Sequence, residues 1–203
     1  MNEHKAWHVN GFLVLLLGLL CLAGSILSFI AAGEEGHLLW ISLGVLLMLV
    51  FVVAMSSLTI VHPNESKVIV FFGKYMGTVH DSGFWLVIPF SNKKKVSMKV
   101  RNFNSQKLKV NDAEGNPVEI AAVVVFKVVD TAKATFDVDN YETFVEIQSE
   151  TAIRHIAAQY PYDSFSEDAR HSLRGNADEV AAELKAELQN RLSVAGVEVL
   201  ETR

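Results

Sequence analysis

Two uninterrupted apolar runs open the chain, and only after them do hydrophobic and polar positions begin to alternate. Residues 11 to 32 read GFLVLLLGLLCLAGSILSFIAA and residues 38 to 61 read LLWISLGVLLMLVFVVAMSSLTIV, neither with a charge. As helices rising 1.5 Å per residue they would be about 33 and 36 Å long, against a hydrocarbon core of about 30 Å. Each is expected to cross a membrane, with residues 33–37 (GEEGH) as a tight turn between them. A cleaved signal peptide fits the first run poorly, because its apolar centre is too long and a second span follows at once.

Beyond residue 62 the pattern is that of strands, then helices. Lys67 to Gly73 (KVIVFFG) is apolar and β-branched, Gly83 to Phe90 is a second apolar run, and Lys95 to Val100 alternates. Gln106 to Val110 alternates again. The turn residues DAEGNP (Asp112 to Pro117) join it to Val118–Val129, read as one long strand covered on both faces. A hairpin across residues 106–129 follows. From Tyr141 the period changes: Tyr141, Phe144, Val145, Gln148, Ala152, Ile153 and Ile156 predict a helix ending before Tyr160-Pro161. A second helix is expected from Asn176, its N-cap, with Glu179 as capping-box partner and Val180, Leu184, Leu188 and Leu192 as its stripe. Glu187 and Arg191 pair at four-residue spacing, Gly196 ends the helix, and Val197 to Leu200 is a last short strand. The fold class is α+β. The organisation is a flank (1–10), two membrane helices (11–32 and 38–61), the turn (33–37) between them, and one domain (63–203).

Half of the 203 residues are hydrophobic and mean hydropathy is positive, in keeping with membrane segments. Sidedness follows from the loop charges. The turn carries Glu34 and Glu35 but no Lys or Arg, whereas Lys5, Lys67 and Lys74 flank the spans. Both termini and the domain are therefore expected on the cytoplasmic side of the cell membrane. A re-entrant hairpin gives the same sidedness, but the lengths favour full crossing. The lone cysteine, Cys21, lies inside the first span and is read as a packing residue.

Charge is segregated along the chain. Lys67 to Lys109 holds nine basic residues and one acid, Asp81, while Val110 to Arg203 holds eight basic residues and eighteen acids. Such polarity suggests a basic end that faces something anionic (nucleic acid, an anionic lipid leaflet, or an acidic surface on a second copy), against the plainer reading of a solvated sheet face with no partner. No helix-turn-helix, zinc module or aromatic RNA-reading signature accompanies the lysines, so nucleic acid is not expected. Within the basic segment stands GFWLVIPFSNKKK, residues 83–95. It reads either as a buried strand with a solvated turn or as a membrane wedge with a lysine heel. The expected membrane-contact residues are Phe84, Trp85, Leu86, Val87, Ile88 and Phe90, and Lys93, Lys94 and Lys95 are the expected headgroup clamp.

No catalytic constellation emerges. The histidines at 4, 8, 37, 62, 80, 155 and 171 form no zinc-protease pair, and there is no nucleophile elbow, phosphate loop or dinucleotide fingerprint. Ser149, Glu150, Arg154 and His155 could be drawn as a relay on one helix, but a Glu150–Arg154 helical ion pair is the simpler reading. No catalytic, metal or cofactor residue is assigned.

From about Asn64 to Arg203 the chain resembles the SPFH, or band 7, family of stomatins, prohibitins, flotillins and bacterial regulators of a membrane-bound AAA protease, here as a bacterial-type member with a double transmembrane hairpin. The resemblance rests on the order and spacing of NESKVIVFFGKYMGTVHDSGFWLVIPF, VRNF, KLKVNDAEGNPVEIAAVVVFKVVD, YETFVEIQSETAIRHIAAQY and LQNRLSVAGVEVLETR. Ser82-Gly83 stands where that family usually has Pro-Gly. The resemblance implies a mixed or antiparallel sheet with flanking helices and a non-catalytic scaffold. It also implies a large homo-oligomeric ring or cage that organises membrane microdomains and sequesters or regulates client membrane proteins. An accessory role to a membrane protease is the alternative it leaves open. It further implies that Phe84 to Phe90 lies against the bilayer, and that a long coiled coil follows the last strand, so a truncated chain is expected.

Overall fold

The computed structural model describes residues 3–35, 37–163 and 172–203. Gly36 of the expected turn, the side chains of Glu34 and Glu35, and His171 lie outside the described residues. The chain is α+β, and its described residues form two compact units: one within His4–Ser97, the other within Met98–Arg203 with Glu3.

In the first unit, strand β1 (Val9–Asn10) leads directly into helix α1 (Gly11–Glu35), and helix α2 (Leu38–Ser56) leads almost directly into strand β2 (Leu58–Val61). Both helices are long and apolar enough to cross a membrane. They are zipped together by small residues. Gly44 packs under the ring of Phe29, Gly24 under Leu47, and the Ser25 hydroxyl donates to the Gly44 carbonyl at 2.8 Å. Glycine at a helix contact lets the two backbones approach.

Helix α2 stops five residues short of the end of the apolar run, which corrects the expected span to Val61. The Ser56 and Ser57 hydroxyls both turn back onto the Val53 carbonyl, at 2.8 and 2.7 Å. The β-branched Thr59, Ile60 and Val61 follow, in a conformation that suits such side chains better than a helix does. Burial then alternates along β2, with Thr59 and Val61 inside and Ile60 outside. At 19 residues α2 is about 28 Å long, still a match to the hydrocarbon core.

Two three-stranded antiparallel sheets complete this unit. One has the order β1-β5-β2, with β5 being Gly83–Leu86; the other has the order β4-β3-β6, from β3 (Glu65–Phe71), β4 (Lys74–Val79) and β6 (Asn92–Ser97). Their shared core is Ala6, Val61, Ile69, Val79 and Val87, with Met76 and Trp85 packed against it. The flank ahead of α1 contributes Ala6 to that core. Ala6 N donates to Thr78 O and Thr78 N to His4 O, each at 2.9 Å, so residues 4–6 lie along β4 as an added segment. Lys5 and His8 both reach the Asp81 carboxylate, at 2.7 and 3.3 Å, and the hydrogen bond from Lys5 holds its pKa below the ordinary carboxylate value.

The second unit has a sheet of order β11-β10-β7, from β7 (Arg101–Asn104), β10 (Val123–Val128) and β11 (Val197–Thr202). A separate hairpin joins β8 (Leu108–Asn111) to β9 (Pro117–Ile120), with Gly115 at φ +87° in its turn. The long strand expected over Val118–Val129 is thus two strands. Between them Ala122 is held by Ser105, whose N–H donates to the Ala122 carbonyl and whose hydroxyl accepts from Ala122 N. This break lets the chain leave the hairpin and enter a different sheet. Helix α3 (Thr131–Phe136) is capped by Asp130, whose side chain accepts from Lys133 N. Helix α4 (Tyr141–Ala157) and helix α5 (Ala177–Leu192) fall where expected, and α5 buries the predicted Val180, Leu184, Leu188 and Leu192. Asn176 precedes α5 but does not cap it: its side-chain amide donates to Glu179 instead.

Candidate membrane-contact site

Strand periodicity divides the apolar stretch that begins at Phe84. In β5, Phe84 and Leu86 share one face, and Trp85 shares the other with the following Val87. Leu86 stands opposite both Val9 and Leu58, and Phe84 opposite Ile60. Val9, Leu58, Ile60, Phe84 and Leu86 therefore form one continuous apolar face across β1-β5-β2, on which Ile60 is 54% exposed. The Phe84 ring continues this face onto α1, lying edge-on to Phe12 at 5.2 Å and directly over Gly11.

The opposite face belongs to the interior. Val87 is fully buried and its N–H donates to the Ser57 carbonyl at 2.9 Å, so its expected membrane contact is withdrawn. Trp85 is half-buried; its indole N–H donates to the Asp81 carbonyl at 2.8 Å and its ring stands edge-on to His8 at 4.7 Å. It braces the flank against β5. After Val87 the chain leaves the strand: Ile88 is half-buried, with its carbonyl taken by the Ser91 hydroxyl, and Phe90 is 66% exposed at φ +56°.

A second exposed aromatic was not expected. Phe72 and Gly73, both at positive φ, make the two-residue turn between β3 and β4, and Phe72 is 88% exposed. A non-glycine residue rarely adopts positive φ, least of all a bulky one. The position of this turn follows from neighbouring contacts. Lys67 on β3 bonds Thr59, while Lys93, paired with Ile69 two residues further along β3, bonds Leu58 and Ser56. β3 thus runs back towards the end of α2, and its turn lies at that end of the sheet. Phe90 is there too, two residues before Asn92, which pairs with Val70. The signal that would have found Phe72 was present: an X-Gly pair between two apolar runs is a hairpin turn.

The three lysines do not act as one clamp. Lys93 Nζ donates to the Ser56 and Leu58 carbonyls, at 2.8 and 3.3 Å, and so closes the open carbonyl end of α2. Lys95 pairs with Glu65 at 2.7 Å. Lys94 lies on the opposite face of β6, by the alternation of the strand. The face carrying Lys93 and Lys95 also carries Lys67, which stands directly opposite Lys95 in the ladder. Burial pulls the pKa of Lys67 below its ordinary value, Glu65 opposes this, and Lys95 adds to it. Burial does the same to Lys93, helped by Lys67.

The helical cluster in the second unit does not converge on a site. Ser149 is buried, Arg154 donates to the Lys109 carbonyl at 3.4 Å, and His155 bonds Gln159 at 2.9 Å on the exposed side. Among the described residues no three His, Cys, Asp or Glu side chains are grouped to hold a metal ion.

The family model described as "SPFH domain / Band 7 family" matches residues 59–203. The chain is also similar to an uncharacterized protein of Methanothermobacter thermautotrophicus, 28% identical over 120 residues, which are 59% of this chain and 37% of that one. An uncharacterized protein of Methanocaldococcus jannaschii is 27% identical over 125 residues, 61% of each chain. The chain thus spans less than two thirds of the length of either relative.

Proposed function

Because this chain belongs to the SPFH domain / Band 7 family, we propose that it is a membrane-anchored scaffold, without catalysis of its own, whose copies assemble into a large ring or cage. The assembly organises the surrounding bilayer laterally and confines or regulates other membrane proteins within it. The observation that carries this reading is the attachment of the helical pair. The chain enters α1 from β1 and leaves α2 into β2, and these two strands flank β5 in one sheet. The sheet therefore continues both helices without a flexible linker, and its apolar face of Val9, Leu58, Ile60, Phe84 and Leu86 begins where the helices end.

Such an attachment suits a scaffold. A domain on a loose tether tumbles, and ordered lateral contacts with a neighbour then cost the entropy of fixing it. A domain built onto its membrane helices is already oriented. The charge segregation supplies the lateral contact: acidic surface from residues 110–203 of one copy meets basic surface from residues 67–109 of the next. The first unit faces the cytoplasmic leaflet, whose anionic lipids attract the lysines of β3 and β6.

Extraction of the protein with its surrounding lipids, followed by electron microscopy and mass measurement, tests the proposal. Closed assemblies of many copies are expected. A monomeric particle under those conditions would overturn the scaffold reading.

A further inference from the structure

The lysine-bearing face of β3 and β6 borders a shallow groove of about 500 Å³, lined on its other side by Leu58, Ile60 and Phe84 from β2 and β5. The combination is unusual. Lys67 and Lys95 are directly opposed in the ladder, an arrangement that like charges destabilise. Only Glu65, paired with Lys95, supplies an acidic side chain among the groove residues, against three ammonium groups. An ammonium has three donors. Lys67 gives one to Thr59 Oγ1 at 2.7 Å and Lys95 one to Glu65, so both retain donors for a further acceptor.

We propose that this groove binds the phosphate of an anionic phospholipid, with Lys67, Lys93 and Lys95 as its cationic wall and Leu58, Ile60 and Phe84 as its apolar lip. The chemistry of both walls selects an amphiphile. A phosphate oxygen bridging Lys67 and Lys95 relieves the charges that the ladder sets opposite one another. The apolar lip is continuous with the outward face of the sheet, so the glycerol and first methylenes of a lipid meet hydrocarbon where a free phosphate would leave it bare. The depth is set by Lys93, whose ammonium sits on the last carbonyls of a membrane-length helix, the level at which headgroups lie. This assignment rests on the reading of α2 as a membrane helix.

The full chain is reconstituted into nanodiscs of phosphatidylcholine alone, of phosphatidylcholine with phosphatidylglycerol, and of phosphatidylcholine with millimolar inorganic phosphate. Amine acetylation is then followed at each lysine by mass spectrometry. With phosphatidylglycerol, Lys67 and Lys95 are expected to label roughly tenfold more slowly than in phosphatidylcholine, while Lys109 and Lys185 label at unchanged rates. The double variant Lys67→Gln/Lys95→Gln is expected to co-purify with phosphatidylglycerol roughly tenfold less selectively than the parent. Equal labelling in all three bilayers overturns the proposal, as does protection by inorganic phosphate without protection by lipid. Alkaline carbonate extraction separates the two levels of the argument. A chain released from membranes by carbonate defeats the membrane-helix reading; a chain that stays, with unprotected lysines, defeats the groove alone.

Discussion

A Cβ placed on Gly77 would stand 2.7 Å from both the Cα and the N of Ala6. The flank thus rests backbone to backbone on β4, at a point where Gly77 also holds φ +114°. Gly77→Ala is expected to lift residues 4–8 off the sheet and to destabilise the first unit by on the order of 2–3 kcal/mol. Limited proteolysis near Lys5 and the thermal midpoint report it. Gly73, at φ +82° with nothing within 4 Å, is the control: Gly73→Asn is expected to be tolerated.

Phe72 and Phe90 occupy backbone conformations that asparagine adopts more readily than an aromatic residue does. Phe72→Asn/Phe90→Asn is expected to leave the fold intact, and to stabilise it by about 1 kcal/mol in detergent solution. A photoactivatable phospholipid is expected to cross-link at residues 70–75 and 88–91 of the parent and to lose both sites in the variant. Undiminished cross-linking in the variant would show that these tips do not seat on lipid. Serines at Phe84, Trp85 and Leu86, by contrast, are expected to unfold the sheet, because Trp85 braces the flank and Leu86 joins three strands.

Gln189 acts as a substitute strand. Its side-chain oxygen accepts from Val199 N at 2.8 Å and its amide donates to Val197 O at 3.3 Å, covering the open edge of β11. Gln189→Ala is expected to cost about 1–3 kcal/mol, since both backbone groups lose their partner. Amide exchange at Val199 should accelerate more than at Phe126.

Asp112 is expected to make the second unit sensitive to acid. Burial pushes its pKa up, but hydrogen bonds from Tyr162 N, the Asn116 side chain, Asn116 N and Glu114 N outweigh this and hold the pKa below the ordinary value. A carboxylate depressed in the folded state contributes stability above its unfolded pKa of about 3.9, and that contribution is lost as pH falls through the folded value. Parent and Asp112→Ala melting curves are therefore expected to differ at neutral pH and to draw together only as pH falls below the unfolded pKa of about 3.9 and through the folded value.

Salt tests the lateral contact. At half-molar salt the screening length is about 4 Å, too short for opposed surfaces to attract across water. Assemblies held by the basic and acidic segments are expected to loosen, with light scattering reporting a smaller particle. An unchanged size would assign cohesion to apolar contacts instead.

Local signals made much of this architecture legible in the sequence. A charge-free run marks α1, although the helix continues through Glu35 into the expected turn. A cluster of turn residues marks the β8–β9 hairpin. A three-and-four spacing marks α4 and α5, because each of these is decided within a few neighbouring residues. What escaped was decided elsewhere in the chain. Hydropathy is blind to where α2 ends, since Thr59 and Val61 become strand by packing against a core that includes Ile69 and Val87. Ala6 belongs to that core through Thr78, 72 residues away, and nothing in HKAWHV announces it. Lys93 to Lys95 read as a single patch because composition ignores the pleat, which puts Lys94 on one face and sends Lys93 back to a helix end. Lys67 is invisible as their companion until the ladder places it opposite Lys95.

The placement of β5 between β1 and β2 also bears on how the protein is made. β5 is synthesised after both apolar helices, and its two ladder partners lie before the first helix and after the second. They are on the same side of a membrane only if the helical pair returns to the side from which it entered. A chain threaded once, with its ends on opposite sides, leaves Leu86 with only β2 beside it and the core without Ala6. Closure of this small sheet therefore requires the segments before α1 and after α2 to lie on the same side.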